Sequence, residues 1–272
     1  MAFARWDGVE MCSYPGTPLR FRGPRRRLDG DYVAVLGGSE AFGRYVEDPF
    51  PDLLQDILGR RVVNLAVENA GPDVYLNDPT VLSMAAGASA RILQVPGAHT
   101  LSNRFYSVHP RRNDRLIGPS AMLRAVYPEV DFTEFHFVRH MLETLLAVSP
   151  PRFGLVREEL RRLWVARTNL LLSRIGRADV LVWLGDRLPD DAGESLRDGG
   201  PPFVTRAMLS GLRGRIGERV EMMAARRDLD GKTYPPGERA AALALPGPAV
   251  HEALADALAR ALAAPDERAR SA

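Results

Sequence analysis

The sequence predicts a three-layer α/β/α fold: a doubly wound, mostly parallel sheet of about five strands with a helical insertion. Two observations lead there. Short runs rich in Val, Leu and Ile, at Tyr32–Leu36, Arg61–Ala66, Arg91–Val95, Val180–Leu184 and Arg219–Met223, are continuously apolar, as strands buried on both faces must be. The first three recur about 30 residues apart, the length of a βαβ unit.

Taken in order, residues 1–30 read as an irregular lead-in broken by Pro15, Gly16, Pro18, Gly23 and Pro24. Tyr32–Leu36 follows as the first strand, closed by Gly37-Gly38-Ser39-Glu40. A short helix at Pro51–Gly59 has proline at its start and glycine past its end. Pro79–Ala86 is a second helix. Between Gln94 and Val180 no strand pattern stands out. Glu134–Val148 instead carries Phe135, Val138, Met141, Leu142, Leu145 and Leu146 on one helical face, and Arg152–Ile175 repeats Val156, Leu160, Leu163, Leu170 and Ile175 at helical spacing. Residues 104–150 therefore read as an insertion capping the carboxyl edge of the sheet, within a single domain over 31–272. Val250, Leu254, Leu258 and Leu262 place a closing helix against the sheet.

Composition narrows the function. The 272 residues carry a formal net charge of only +2, which argues against nucleic acid as a partner. No apolar run approaches the ~20 residues needed to span a bilayer. The first residues lack the charged-then-apolar design of a signal peptide, so the chain reads as cytoplasmic. The single cysteine, Cys12, excludes an internal disulfide framework and any cysteine-based metal cluster. Lys232 is the only lysine. Gly37, Gly38 and Gly43 do not form Gly-x-Gly-x-x-Gly, and no Gly-Lys-Ser/Thr follows, so no nucleotide cofactor is expected. His136 and His140 share a helix face, with Glu143 three residues on. The His-Glu-x-x-His pattern is missing, so they read as packing residues and no metal site is expected.

Chemistry gathers where the strands end. Ser39 follows two glycines that permit a tight turn and close ligand approach; its alternative role is to cap the helix that follows. Asn64-Leu65-Ala66-Val67-Glu68-Asn69-Ala70-Gly71-Pro72-Asp73 follows the second strand, and Pro96-Gly97-Ala98-His99-Thr100-Leu101-Ser102-Asn103 the third. On these three stretches the chain resembles the SGNH (GDSL-type) hydrolase superfamily over roughly residues 31–103 and the last strand and helix. The second stretch is similar to that of members acting on polysaccharide acyl groups. More closely, the whole chain resembles an alphaproteobacterial domain of unknown function, DUF6473, through its Gly-Gly-Ser-Glu and Asn-Ala-Gly-Pro-Asp stretches; that likeness carries no activity.

The superfamily resemblance implies an esterase or acyltransferase acting on a carbohydrate or other small ester, with Ser39 as nucleophile. It implies that the oxyanion is held by the Ser39 N–H, by Asn69 or Gly71 (the spacing leaves both open), and by a side chain from the third block. His99 stands there in place of asparagine, with Asn103 a turn later. The Asp-x-x-His pair that supplies the base in such enzymes is absent; His251, the last histidine, is the remaining candidate. The absent pair opens the alternative of a degenerate SGNH-fold protein that binds a carbohydrate or serves in assembly. Glu40, His109, Arg104, Arg111 and Arg112 are candidate substrate contacts. The arginines and His109, following the third strand, point to a small-molecule or glycan ligand, an anionic one in particular.

Overall fold

The computed structural model describes residues 5–6, 9–191, 193–212, 214–224 and 228–270, with side chains described from residue 9 to residue 263. The lead-in is not irregular. Strands β1 (Arg5–Trp6), β2 (Val9–Cys12) and β3 (Phe21–Arg22) form a small antiparallel sheet. Its anchors are few and buried: Cys12, Tyr14, Leu19 and Phe21 enter the main core. Strands this short, among prolines and glycines, carry too little periodicity to be read from sequence.

The central sheet opens with β4 (Val33–Leu36), whose four residues are all buried. The chain continues through α1 (Ser39–Phe42), α2 (Phe50–Leu58), β5 (Val62–Asn64), α3 (Pro72–Leu76), α4 (Pro79–Ala86) and β6 (Ala90–Gln94). Next comes a hairpin, β7 (Tyr106–His109) with β8 (Arg112–Pro119), then α5 (Ala121–Val126), a 3-10 turn at Phe132–Glu134, α6 (Val138–Val148) and the long α7 (Pro150–Ile175). The chain ends with β9 (Ala178–Gly185), α8 (Arg206–Ser210), β10 (Ile216–Met223), α9 (Arg239–Ala244) and α10 (Pro248–Arg270).

The sheet order is β10-β9-β6-β4-β5, and every pairing is parallel. Successive side chains leave a strand on opposite faces, and β4 shows the result. Val33 and Val35 pack with Phe50 and Leu54 of α2 and Leu254 and Leu258 of α10. Ala34 and Leu36 pack with Tyr75, Val81, Leu160 and Trp164 from α3, α4 and α7. Helices thus cover both faces, as the continuous apolar runs required. The edge strand β10 departs from that pattern: its residues alternate between half-buried and exposed.

The insertion is not wholly helical. Residues 106–119 form the antiparallel hairpin, with an irregular register between Ser107 and His109. Polar residues alternate there with Tyr106 and Val108, so no apolar run announces a strand. Because the chain starts in the middle of the sheet and reverses direction between β4 and β6, the loops after these strands part. They leave a crevice at the carboxyl edge, where open α/β sheets take their ligands.

Candidate functional site

The turn after β4 is fixed by two side chains from neighbouring elements. The Tyr75 hydroxyl, on α3, accepts from the Gly37 N–H at 3.0 Å and donates to the Gly37 carbonyl at 2.7 Å. Gln94, buried at the end of β6, accepts from the Gly38 N–H at 2.8 Å and donates to Glu40 Oε2 at 3.0 Å. The approach is so close that a Cβ on Gly37 would lie 2.5 Å from Gln94 Oε1. Gly43 ends α1 at φ 71°, its N–H bonded to the Ser39 carbonyl. Ser39 is therefore presented on a short helix, held from both sides, with its hydroxyl partly exposed.

Asn69 supplies the partner of that hydroxyl. Its backbone takes the left-handed conformation, φ 56°, which asparagine tolerates better than most residues. This turns its N–H toward Ser39 Oγ at 2.9 Å. The Ser39 hydroxyl in turn donates to Asn69 Oδ1 at 3.3 Å. Asn69 and Gly71, both left open by the spacing, direct their N–H groups differently. The Gly71 N–H is spent on buried Asn113 Oδ1 at 3.0 Å, and a Cβ there would strike the Thr100 carbonyl at 2.6 Å. Gly71 packs the hairpin against the sheet edge; Asn69 faces the serine.

Ser39, Glu40 and Asn69 line a cavity of about 880 Å³. Its further walls are Gly97, His99 and Thr100 after β6, Asp114 of β8, Arg139, His140 and Glu143 of α6, and Asp186, Leu196, Arg197 and Gly199 to Pro202 after β9. The last wall is organised by Arg187, whose buried guanidinium donates to the carbonyls of Leu188, Asp191, Pro201 and Val204. Burial, with the charge of Arg139 adding to it, pushes the His99 pKa down to about 3, so its imidazole is neutral near pH 7.

The structure leaves several expected residues outside this cavity. His251 is buried at the start of α10, its ring stacked on Phe50 and its Nδ1 accepting the Phe50 N–H at 3.0 Å. Burial, followed by the charges of Arg22 and Lys232, lowers its pKa to about 3. It caps the start of α2 and does not reach the cavity wall. Asn103 is likewise structural: its Oδ1 accepts from Phe105 and Tyr106 and its amide donates to the Leu101 carbonyl. The expected arginine overhang fails for one physical reason, the hairpin. Because residues 106–119 pair with each other, His109, Arg111 and Arg112 lie around its turn, with both arginines exposed and His109 Nδ1 accepting the Arg111 N–H. Arg104 pairs with Glu159 of α7. None of the four lines the cavity; its arginines are Arg139 and Arg197.

Sequence reasoning missed Tyr75, Gln94, Asn113 and Asp114. Only Gln94 carried a usable signal, a lone amide closing the apolar run Ile92-Leu93. Among the described residues no group of three or more His, Cys, Asp or Glu side chains is placed to hold a metal ion. Among them, too, no helix is long and apolar enough to cross a membrane.

A family profile described as a domain of unknown function, DUF6473, matches residues 3–265. The chain belongs to the DUF6473 family. No curated protein matches it. Among solved structures, the lipase Lip_vut3 from a goat rumen metagenome is 12% identical with a TM-score of 0.44, over 85% of this chain and 97% of that one. A carbohydrate esterase family 2 enzyme with its carbohydrate binding domain, from Corynascus thermopiles (Myceliophthora fergusii), is 14% identical with a TM-score of 0.42, over 89% of this chain and 68% of that one. The DUF6473 fold seen here is thus a 2-1-3-4-5 doubly wound sheet with a roofed crevice at its switch point.

Proposed function

We propose that this DUF6473 protein is an SGNH-like serine esterase or acyltransferase acting on a carbohydrate or other small ester. The observation that carries the reading is the Asn69 N–H directed at Ser39 Oγ, on the wall of a ligand-sized cavity at the sheet's switch point. Attack by Ser39 on an ester carbonyl forms a tetrahedral oxyanion, which needs preorganised donors. The Ser39 and Asn69 N–H groups supply two, and His99, neutral and on the same wall, has a ring N–H to offer as a third. The proton of Ser39 passes to a base and then to the departing alcohol; an acceptor alcohol, or water, releases the acyl group in the second half. In this reading the base comes from the insertion. His140 of α6 lines the cavity, with Glu143 one turn further on the same helix.

A second reading, a binding protein that retains the pocket without turnover, is favoured by one contact: the Ser39 hydroxyl donates to Asn69 Oδ1 rather than to an imidazole. Hydrolysis of short-chain p-nitrophenyl esters, with Ser39→Ala as control, separates the two. Turnover lost in Ser39→Ala supports the enzyme. Turnover indifferent to that substitution, or no turnover together with no fluorophosphonate labelling, leaves the binding protein.

A further inference from the structure

The two edges of the central sheet are built differently. β5, at one edge, is three residues long. An edge that short offers little for another chain to pair with. β10, at the other, runs for eight residues without proline or lysine. It pairs with β9 in parallel, and the Ala224 N–H donates to the Gly185 carbonyl at 2.8 Å. Residues alternate in direction along a strand, so Val220 and Met222 direct their backbone groups at β9, as Ala224 does. Arg219, Glu221 and Met223 turn their N–H and C=O groups away from the sheet. Among the described residues, no other backbone bonds to those outward groups. The side chains of the same three residues are exposed.

The side chains select what pairs there. Arg219 has no carboxylate partner among the described residues; its guanidinium donates to the Leu209 carbonyl at 3.3 Å. Glu221, on the same face, meets Arg206 in a cluster with Asp190. When a strand pairs antiparallel with its own copy about a two-fold axis, outward-facing residues must lie opposite outward-facing residues. An axis at Arg219 sets the two Arg219 side chains against each other, and an axis at Glu221 sets Glu221 against Glu221; like charges directly opposite repel. An axis at Val220 places each Arg219 opposite Glu221 of the other copy, twice over, on one face of the joined sheet. On the opposite face it brings together the two Val220 side chains, each half-buried against the core shared with α10. We propose that β10 is a dimerisation edge: two copies of this chain pair their β10 strands antiparallel about an axis at Val220, with Arg219 of each opposite Glu221 of the other. The pairing closes on itself, because it uses the long edge of both copies and leaves only the short β5 edges free. Nothing in it depends on chemistry at Ser39.

The test is sedimentation velocity of the full chain from low to high micromolar concentration. Wild type, Arg219→Glu, Glu221→Arg and the double exchange are compared, each shown to be folded by circular dichroism. The wild type should be a dimer that dissociates on dilution. Each single variant sets like charges opposite at both pairs and should weaken association roughly tenfold; the double exchange restores the match and should recover most of that loss. Hydrogen exchange on the wild type gives a reading that needs no variant, and it decides if the variants do not fold. The Arg219, Glu221 and Met223 amides should exchange more slowly as concentration rises, while those of Val220 and Met222, already directed at β9, change little. A wild type that stays monomeric, a dimer indifferent to both single variants, or a double exchange no tighter than the singles overturns the proposal. So does a dimer whose outward β10 amides stay unprotected.

Discussion

Two ends of the same sheet edge treat their polar residues in opposite ways. At the turn after β4, Tyr75 and Gln94 spend buried hydrogen bonds on the backbone so that Ser39 stays partly exposed with its hydroxyl facing Asn69. At the end of the chain, where the superfamily resemblance expects a dyad, the polar residues turn inward. His251 caps α2, while Glu238 binds Arg44 at 2.9 Å and the Tyr45 hydroxyl at 2.7 Å. Arg44 also holds Glu68 at 3.2 Å, and burial raises the pKa of Glu68 against that pairing. The first region keeps its serine hydroxyl available. The second uses its titratable groups to lock the last helices to the sheet. A histidine's place in the chain order is thus no guide to its role without its partners.

The largest effect expected from this contrast is at His251. His251→Ala removes the acceptor of a buried N–H and leaves a cavity, and should destabilise the protein by about 3 kcal/mol in urea unfolding. Fluorophosphonate reactivity per folded molecule should stay unchanged; a loss of reactivity with an intact fold would make His251 part of the site. Tyr75→Phe strips the Gly37 N–H of its buried partner. It should cost about 2 kcal/mol and, unlike His251→Ala, slow labelling of Ser39. A stable variant with unchanged labelling would show that the turn does not depend on this clamp.

The depressed His251 pKa, about 3 in the fold against an ordinary 6.5, fixes a sign. Below about pH 6.5 the unfolded chain takes the proton and the folded one does not. Stability is therefore full above 6.5 and falls as the pH drops, by up to about 1.4 kcal/mol per unit for this one group, until the folded ring titrates near 3. His99 acts in the same direction. Urea midpoints between pH 7.5 and 5 should show the decline, shallower in His251→Gln; a flat profile would contradict the buried neutral ring. The smallest effect belongs to the hairpin turn. Arg111→Ala and Arg112→Ala should each change stability by under about 0.5 kcal/mol and leave ester turnover unaltered, since both side chains are exposed and the Arg112 pairing with Asp114 at 3.8 Å is a solvated one. Selective loss of an acidic ligand in either variant would restore the anion reading.

The sheet was legible because burial on both faces writes itself as continuous apolar runs, and the positions of Ser39, Asn69 and His99 followed from where those runs stop. The orientation of Gly71, left as an alternative to Asn69, and of Asn103 was not legible for a different reason. Both residues sit in the right loops, but hydrogen bonds to Asn113, Phe105 and Tyr106 decide which way each residue faces, and those partners belong to a hairpin without a periodic signature. The alternating burial of β10 hid nothing, whereas the walls from α6 and the loop after β9 could not be assigned to the cavity at all. Their contribution depends on how Arg187 gathers distant carbonyls and on how the insertion folds back over the sheet edge.

The central claim, that Ser39 is the reactive group and acts without His251, is tested most directly by intact-mass measurement of fluorophosphonate labelling on three folded proteins. Wild type and His251→Gln should each gain a single adduct, mapped to Ser39 by peptide sequencing, and Ser39→Ala should gain none. Folded wild-type protein that gains no adduct, or an adduct that disappears in folded His251→Gln, would contradict it.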